Sequence, residues 1–510
     1  MCPKPEPHAM TVTDHALAWT QLFGDLDRSG LALHLQIRRA IVTAIERGLF
    51  TAEARLPSTR QLAALLGVAR NTVVNAYQQL IDEGFLVAHE RSGIFLAPDL
   101  TVSETRGPTH GRTIAWSRRF AVRPAQLRQI TKPRDWLDYP YPFLFGQFDP
   151  SLFPANDWRE SVRAASGVSE INAWAGDLID EDDADLVEQL RLQVLPRRGI
   201  FASADEVMVT IGSQQALSLL IQLLVGRDTP AGVEDPSYPD TRNMLTLATD
   251  DLATLAIDRH GVVPDAAFTS RDVAFVTVGH QCPTTAVMPL ERRRALLEAA
   301  RRHDVVLVED DYEADLALAD EIPSLKSLDT DGRVIYVGSF SKVLAPGLRV
   351  GYVVAPRAVI AELRVLRRLM LRHPPSNNQR ATAMFVALGH YRTHLRRTAG
   401  VLEERAVRIA GLLPRLLPAF RWRRDPGATS FWVEGPVGLD ARDLSVRARA
   451  RGVLIEPGDI FYADPEAGQA CFRLGFASIR TDRIEAGLTR LAELVTPAGI
   501  PASQGMPEQV

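Results

Sequence analysis

The sequence predicts an α/β body built on a mostly parallel sheet with helices on both faces, preceded by a small, basic, mainly helical module. Three observations carry that prediction. From about Val207 onward, short continuous apolar runs rich in β-branched residues alternate with helical segments, the pattern of strands buried on both faces. Before residue 100, two helical patterns flank a glycine and lead into two short strand-like runs. At 510 residues the chain is also too long for one ordinary core and suggests about three domains.

In the first module, Ile37, Ala40, Ile41, Ala44 and Ile45 recur at helical spacing until Gly48, which predicts a helix over 33–47. Ser58 is a good N-cap for a second helix with Leu62, Leu65 and Leu66 inward, and Gly67 ends it. A third helix is expected from Arg70 to Glu83, with Val73, Val74, Tyr77, Leu80 and Ile81 on its apolar face. Its first turn turns Arg70, Asn71 and Thr72 outward. Helix, glycine turn, helix is a helix-turn-helix, in which such residues reach base edges. Gly84–Ala88 and Ile94–Leu96 read as the strands of a wing whose tip carries Arg91. From Arg28 to Ala97, eight basic residues face five acidic ones, although the whole chain has a net charge of -4. That asymmetry points to nucleic acid at one end of the chain. A helical module with merely solvated arginines fits the same pattern.

Pro98 to Arg112 reads as a flexible linker, and Trp116, Phe120 and the cluster Trp136–Phe143 mark where the chain rejoins a folded body, so the linker is expected over 98–135 and the body over 136–497. The large part of that body should span about 205–375. Residues 1–27 read as an N-terminal extension and 498–510 as a tail. No apolar run approaches the ~20 residues of a membrane span. The start MCPKPEPHAM lacks the apolar core of a signal peptide, so a cytoplasmic protein is expected. Cys2, Cys282 and Cys471 have no paired spacing, which argues against a disulfide framework and a metal site.

The expected strands of the body are Val207–Ile211, Ala231–Asp235, Val273–Val278, Val305–Val308, Val334–Val337 and Val350–Val354. Ligands gather at the ends of such strands, and three ends carry chemistry. Gly212-Ser213-Gln214 opens a helix whose free amides form an anion site. Asp310, in Glu309-Asp310-Asp311-Tyr312, ends a buried strand, where a carboxylate needs a cation. Lys342, one of only four lysines with Lys4, Lys132 and Lys326, follows the strand before it and lies near Ser339 and Arg349 in sequence. Desolvation and a neighbouring cation would suit it to attack a carbonyl. Spacing alone leaves open a strand-to-loop lysine without a role. Lys326 is expected to be solvated, and Asp311 to be a surface acid or one that supports the site from behind. A phosphate cradle, a carboxylate for a ring nitrogen and one amine for an imine are the requirements of pyridoxal phosphate.

RLPSTRQLAALLGVARNTVVNAYQQLIDEGFL closely resembles the winged helix-turn-helix of GntR-type regulators. GSFSKVLAPGLRVGY and VEDDYE resemble the fold-type I aminotransferases, over about Phe143 to Leu491. The fusion resembles the MocR/GabR regulators. That resemblance implies DNA contacts by Ser58, Arg60, Arg70, Asn71, Thr72 and Arg91. It also implies a pyridoxal 5'-phosphate Schiff base on Lys342, Asp310 on the pyridine nitrogen, Tyr312 on the phenolate oxygen and Tyr238 stacked on the ring. Ser213, Gln214, Ser339 and Arg349 would bind phosphate, and Arg473 would clamp a ligand carboxylate. The other reading of Arg473 is a structural ion pair. His280 is expected to line the pocket. The sequence departs from the family where Ala69 replaces a capping serine, Cys282 an asparagine and Thr285 a glycine.

The resemblance implies a regulator that binds double-stranded operator DNA as a head-to-tail homodimer and senses a small amino compound by external aldimine formation. The alternatives are a PLP-dependent aminotransferase with a vestigial or autoregulatory DNA-binding domain, and a DNA-binding scaffold without cofactor.

Overall fold

The computed structural model describes residues 26, 31–46, 55–89, 92–97, 114–313 and 323–495. The expected extension and tail, residues 98–112 and the wing-tip Arg91 lie outside these, apart from Leu26. The chain forms two compact units, Met1–Phe120 and Ala121–Val510.

In the smaller unit, α1 (Leu33–Glu46), α2 (Thr59–Leu66) and α3 (Arg70–Asp82) enclose a core of Ile37, Ile41, Leu62, Val73, Tyr77 and Leu80. Ser58 caps α2 in a reciprocal capping box with Gln61, and Gly67 ends it in the left-handed conformation at φ 60°. Ala69 heads α3 without a side-chain cap. Leu65 and Val74, expected inside, are exposed, and the small Ala63 and Ala76 are buried instead. The three helices approach closely there, so small residues fill the seam. β1 (Leu86–His89) and β2 (Gly93–Leu96) pair antiparallel as the wing.

In the larger unit, β3 (Tyr141–Pro142) lies outside the main sheet. The sheet comprises β4 (Val207–Thr210), β5 (Ala231–Asp235), β6 (Leu252–Asp258), β7 (Gly261–Val262), β8 (Val273–Val276), β9 (Val306–Asp310), β10 (Val334–Ser339) and β11 (Gly351–Val354). Their spatial order is β4-β11-β10-β9-β8-β5-β6-β7, and β10, β9, β8, β5 and β6 run parallel. β11 is antiparallel to both neighbours, and β7 to β6. Helices α4 (Gly212–Leu224), α5 (Pro239–Ala248), α6 (Leu290–His303) and α7 (Arg357–Leu371) flank the sheet. Successive residues of one strand feed different cores. Ile335 and Val337 pack with Leu220 of α4 and Leu363 of α7, whereas Tyr336 joins the core around Leu395 of α8 (His390–Leu416). Hence the strands are apolar throughout. β6, which the sequence does not predict, buries only Leu255 fully. A strand close to the sheet edge carries little continuous apolar signal.

A second sheet joins β12 (Arg421–Arg423), β13 (Ser430–Glu434), β15 (Glu456–Pro457) and β16 (Cys471–Gly475), while β14 (Val453–Leu454) pairs with β3. Residues 121–135, expected as linker, belong to the larger unit. Arg128 donates to the carbonyls of Asp459, Tyr462 and Ala463, and Asn243 donates to the carbonyl of Arg128 at 2.8 Å. This stretch is held by polar bonds, so its polar composition reads as linker. Trp116 and Phe120, expected to mark the folded body, are exposed.

Candidate functional site

A cavity of about 300 Å³ opens in the larger unit where strand ends, helix starts and the second sheet converge. β9 and β10 run in register with Asp310 opposite Val337, so the carboxylate ending β9 and Lys342, just beyond β10, reach the same space. Lys342 Nζ lies 4.2 Å from the centre of the Phe145 ring. Gly146 lies beneath it at φ +74°, a conformation that favours glycine, and a Cβ there would stand 2.6 Å from Nζ, so the ammonium would have to shift. Burial, and then the neighbouring Lys132, push the Lys342 ammonium down to about 8.

Asp310 is in the opposite condition. Burial, and then Asp311, push its carboxyl up to about 7, and its Oδ1 is buried without a hydrogen-bond partner among the described residues. Behind it, Asp311 accepts two bonds from Arg198, at 3.0 and 2.7 Å, and one from Tyr336 at 3.0 Å. Asp311 is therefore a buried brace and not a surface acid. Lys326, expected in solvent, is half-buried and donates to the Val334 carbonyl at 2.8 Å. Glu309, itself buried, accepts the Leu325 and Lys326 amides and tucks that turn inward.

Ser213, Gln214 and Arg349 meet at the start of α4, which no side chain caps. Arg349 Nη2 donates to the Ile211 carbonyl at 3.0 Å. Gly212 has φ +72°, and a Cβ there would come within 2.9 Å of the Arg349 guanidinium. The glycine thus lets the Arg349 guanidinium pack against an uncapped helix N-terminus, and the two together suit an anion. Ser341, which sequence reasoning did not select, lines this cavity with a buried hydroxyl that has no partner among the described residues. Ser339 does not line it, because as the last residue of β10 it is buried and accepts the Ser341 amide at 3.1 Å. Tyr238 donates to Asp240 at 3.0 Å and lies 3.1 Å from Gln214 Oε1, and Gln214 donates to Asp240 at 3.1 Å. Asp240 fixes both residues and was not foreseen.

Arg473 joins the cavity from the second sheet. Glu456 is its ladder neighbour on β15 and accepts its Nε at 3.0 Å. The guanidinium carbon lies 4.1 Å from the centre of the Phe145 ring and 4.6 Å from that of Phe461. Its Nη1 lies 4.0 Å from Cys282 Sγ. The ion pair and the ligand-facing arrangement coexist, since Glu456 holds Nε and leaves the fork open. Cys282 lines the cavity with a thiol that burial pushes up to about 12. Thr285 adopts φ +66°, the left-handed conformation that a β-branched residue tolerates poorly. His280 does not line the cavity; its Nε2 lies 2.9 Å from the Pro426 carbonyl. Tyr312 lines it edge-on to Phe145. Of the residues the sequence did not select, Lys132 comes from the stretch read as linker. Its scarcity was the available signal.

In the smaller unit, Arg60, Arg70 and Asn71 are exposed and Thr72 is half-buried around the start of α3. Arg70 Nε lies 3.4 Å from Thr59 Oγ1. The Ser58 hydroxyl is engaged in the cap of α2.

Residues 33–96 match the model of bacterial regulatory proteins of the gntR family, and residues 185–491 that of aminotransferase class I and II. The chain is 40% identical to the HTH-type transcriptional regulator TauR of Rhodobacter capsulatus, over 90% of this chain and 96% of that protein. It is 30% identical to the probable rhizopine catabolism regulatory protein MocR of Rhizobium meliloti, over 91% and 94%. The chain belongs to the MocR-type transcriptional regulators. Among solved structures, the body is similar to the α-aminoadipate aminotransferase LysN of Thermus thermophilus, complexed with N-(5'-phosphopyridoxyl)-L-leucine. That likeness has 29% identity and a TM-score of 0.67, over 75% of this chain and 98% of that one. The kynurenine aminotransferase of Pyrococcus horikoshii gives 26% and 0.67, over 74% and 97%. The MocR-type regulator therefore couples a GntR winged helix to an aminotransferase fold. No helix among the described residues is long and apolar enough to cross a membrane.

Proposed function

We propose that this regulator holds pyridoxal 5'-phosphate in the cavity and uses it to sense a small amino compound. The observation that carries the reading is a set of unfilled bonding capacities around one space. Asp310 Oδ1 and the Ser341 hydroxyl are buried without partners among the described residues, Arg349 packs on Gly212 at an uncapped helix start, and Lys342 is an amine of lowered pKa. These fit a pyridine nitrogen, a phosphate and an aldehyde. When bound, the cofactor supplies an aldehyde carbon with which amines condense.

The remaining roles belong to the chain. Lys342, lowered from 10.5 to about 8, holds roughly 300-fold more neutral amine at pH 7 than an unperturbed lysine would. Asp310 accepts the ring N–H, and Tyr238, steadied by Asp240, covers the ring face. Tyr312 reaches the phenolate oxygen. Ser213, Gln214, Ser341 and Arg349 hold the phosphate. Arg473, gripped at Nε and sandwiched by two phenyl rings, offers its fork to an acidic group on the ligand. The shift between occupied and unoccupied cavity biases how a head-to-tail dimer sets its winged helices on two half-sites of an operator. Arg60, Arg70 and Asn71 make the contacts to DNA, in the cytoplasm.

The complete lysine, aspartate and tyrosine set also fits an aminotransferase. Cys282, a protonated thiol and weak donor, counts against efficient turnover. Purified protein incubated with pyridoxal phosphate is expected to show the visible absorbance of the bound cofactor, and Lys342→Ala to lose it. Equal absorbance in the variant removes the reading. Sustained keto-acid formation from amino donors over many turnovers makes the protein an enzyme.

A further inference from the structure

Resting on the function proposed above, a second cation in the cavity refines which ligand it takes. Lys132 lies twelve residues beyond the end of the smaller unit at Phe120, on the stretch through which the chain enters the larger unit. Its ammonium donates to the Phe145 carbonyl and lies 3.2 Å from Glu456 Oε1. A Cβ on Gly146 would be 2.6 Å from Lys342 Nζ and 3.4 Å from Lys132 Nζ, so the two amines flank one point.

The grip on Glu456 is uneven. Oε2 accepts the Phe145 amide at 3.1 Å and Arg473 Nε at 3.0 Å, so that oxygen is fixed. Oε1 has only the ion pair with Lys132 and no well-aligned hydrogen bond. Arg473 is locked by two rings and a carboxylate, while Lys132 ends a flexible four-carbon stem. Glu456 is therefore shared by two cations, and of the two Lys132 is the one free to leave it.

We propose that Lys132 is a ligand-reading residue: with the open fork of Arg473 it receives the acidic group of the amino ligand, swinging from Glu456 Oε1 to that group. The ligand class is then an amino compound with a single acidic group, carboxylate or sulfonate, in preference to a plain amine. Because residues 128–132 are tied at Arg128 to the 459–463 loop, the reading residue sits on a stretch whose position the second sheet controls.

Two measurements on the full-length chain test this. In cofactor-free protein, labelling of Lys342 by an amine-reactive reagent, followed by peptide mass spectrometry, should rise with pH around a midpoint of about 8. Lys132 and Arg473 lower that midpoint, while Glu313 and Glu456 raise it. Lys132→Met should move it upward and Lys132→Arg should leave it in place. In cofactor-loaded protein, absorbance titrations with 3-aminopropanoate and with propylamine separate acid reading from amine binding. The change at Lys342 acts on both ligands alike, so Lys132→Met should weaken 3-aminopropanoate relative to propylamine by about tenfold or more, the loss of one charge-assisted bond. Lys132→Arg should restore most of the loss. An unmoved labelling midpoint, or equal effects on both ligands, overturns the role of Lys132. Failure of the wild-type protein to load cofactor sinks the proposed function, and the labelling profile then decides whether the Lys132 charge reaches the site.

Discussion

Replacing Asp310 with asparagine should help the empty protein and harm the loaded one. The carboxyl is raised from 3.8 to about 7 because burial and Asp311 oppose its charge and nothing donates to Oδ1. About three pH units at 1.36 kcal/mol each set an upper limit of roughly 4 kcal/mol for ionising it in the empty cavity. The folded pKa is the raised one, so this group's contribution is fully present below about pH 4. It is lost as pH climbs through about 7. Cofactor-free Asp310→Asn should therefore match wild type in denaturation at pH 4 and become the more stable of the two by pH 8. Pyridoxal phosphate supplies the missing donor, so its affinity should fall in the variant by a factor on the order of 10² to 10³, the same energy discounted for partial exposure. An analogue with CH in place of the ring nitrogen should lose nothing. Titration calorimetry at pH 8 measures both. A variant less stable than wild type at pH 8 without cofactor, or equally weakened for both compounds, would refute the assignment of Asp310 to the ring nitrogen.

Arg70→Ala should weaken operator binding and flatten its dependence on salt, with the absorbance of bound cofactor unchanged; unaltered affinity in a gel-shift titration would mean that the recognition helix is misplaced. Glu456→Leu strands Arg473 and Lys132 and should cost about 3–5 kcal/mol in denaturation. Asp250→Ala, in the exposed pair with Arg227, should cost about 0–1 kcal/mol. Similar costs would show that Glu456 is not the anchor of the cavity wall.

The fold was largely legible because its strands are buried on both faces and therefore announce themselves as unbroken apolar runs. β6, near the sheet edge, escaped for lack of such a run. Lys342 and Asp310 were legible because a strand end fixes where its next few side chains can go, whereas Tyr312 came only from the family resemblance. The misreadings share one cause, since sequence gives residue type and spacing and not the partner. Ser339 and Ser341 are two residues apart, and only the backbone path shows that the first turns to an amide and the second into the cavity. His280 stands near the right loop but bonds a carbonyl elsewhere. Lys326 looks solvated until the turn that Glu309 pulls inward is seen.

The sequence alone determined the two-part architecture, the lysine and aspartate that converge, and the helix start suited to an anion, because these depend on local periodicity and strand ends. Only the tertiary structure decided that Arg473 is both paired and open, and that Lys132 enters the same cavity. The first depends on the register of β15 against β16, which sets Glu456 beside Arg473, and the second on distant segments such as those of Lys132 and Glu456 coming together; no local pattern encodes either.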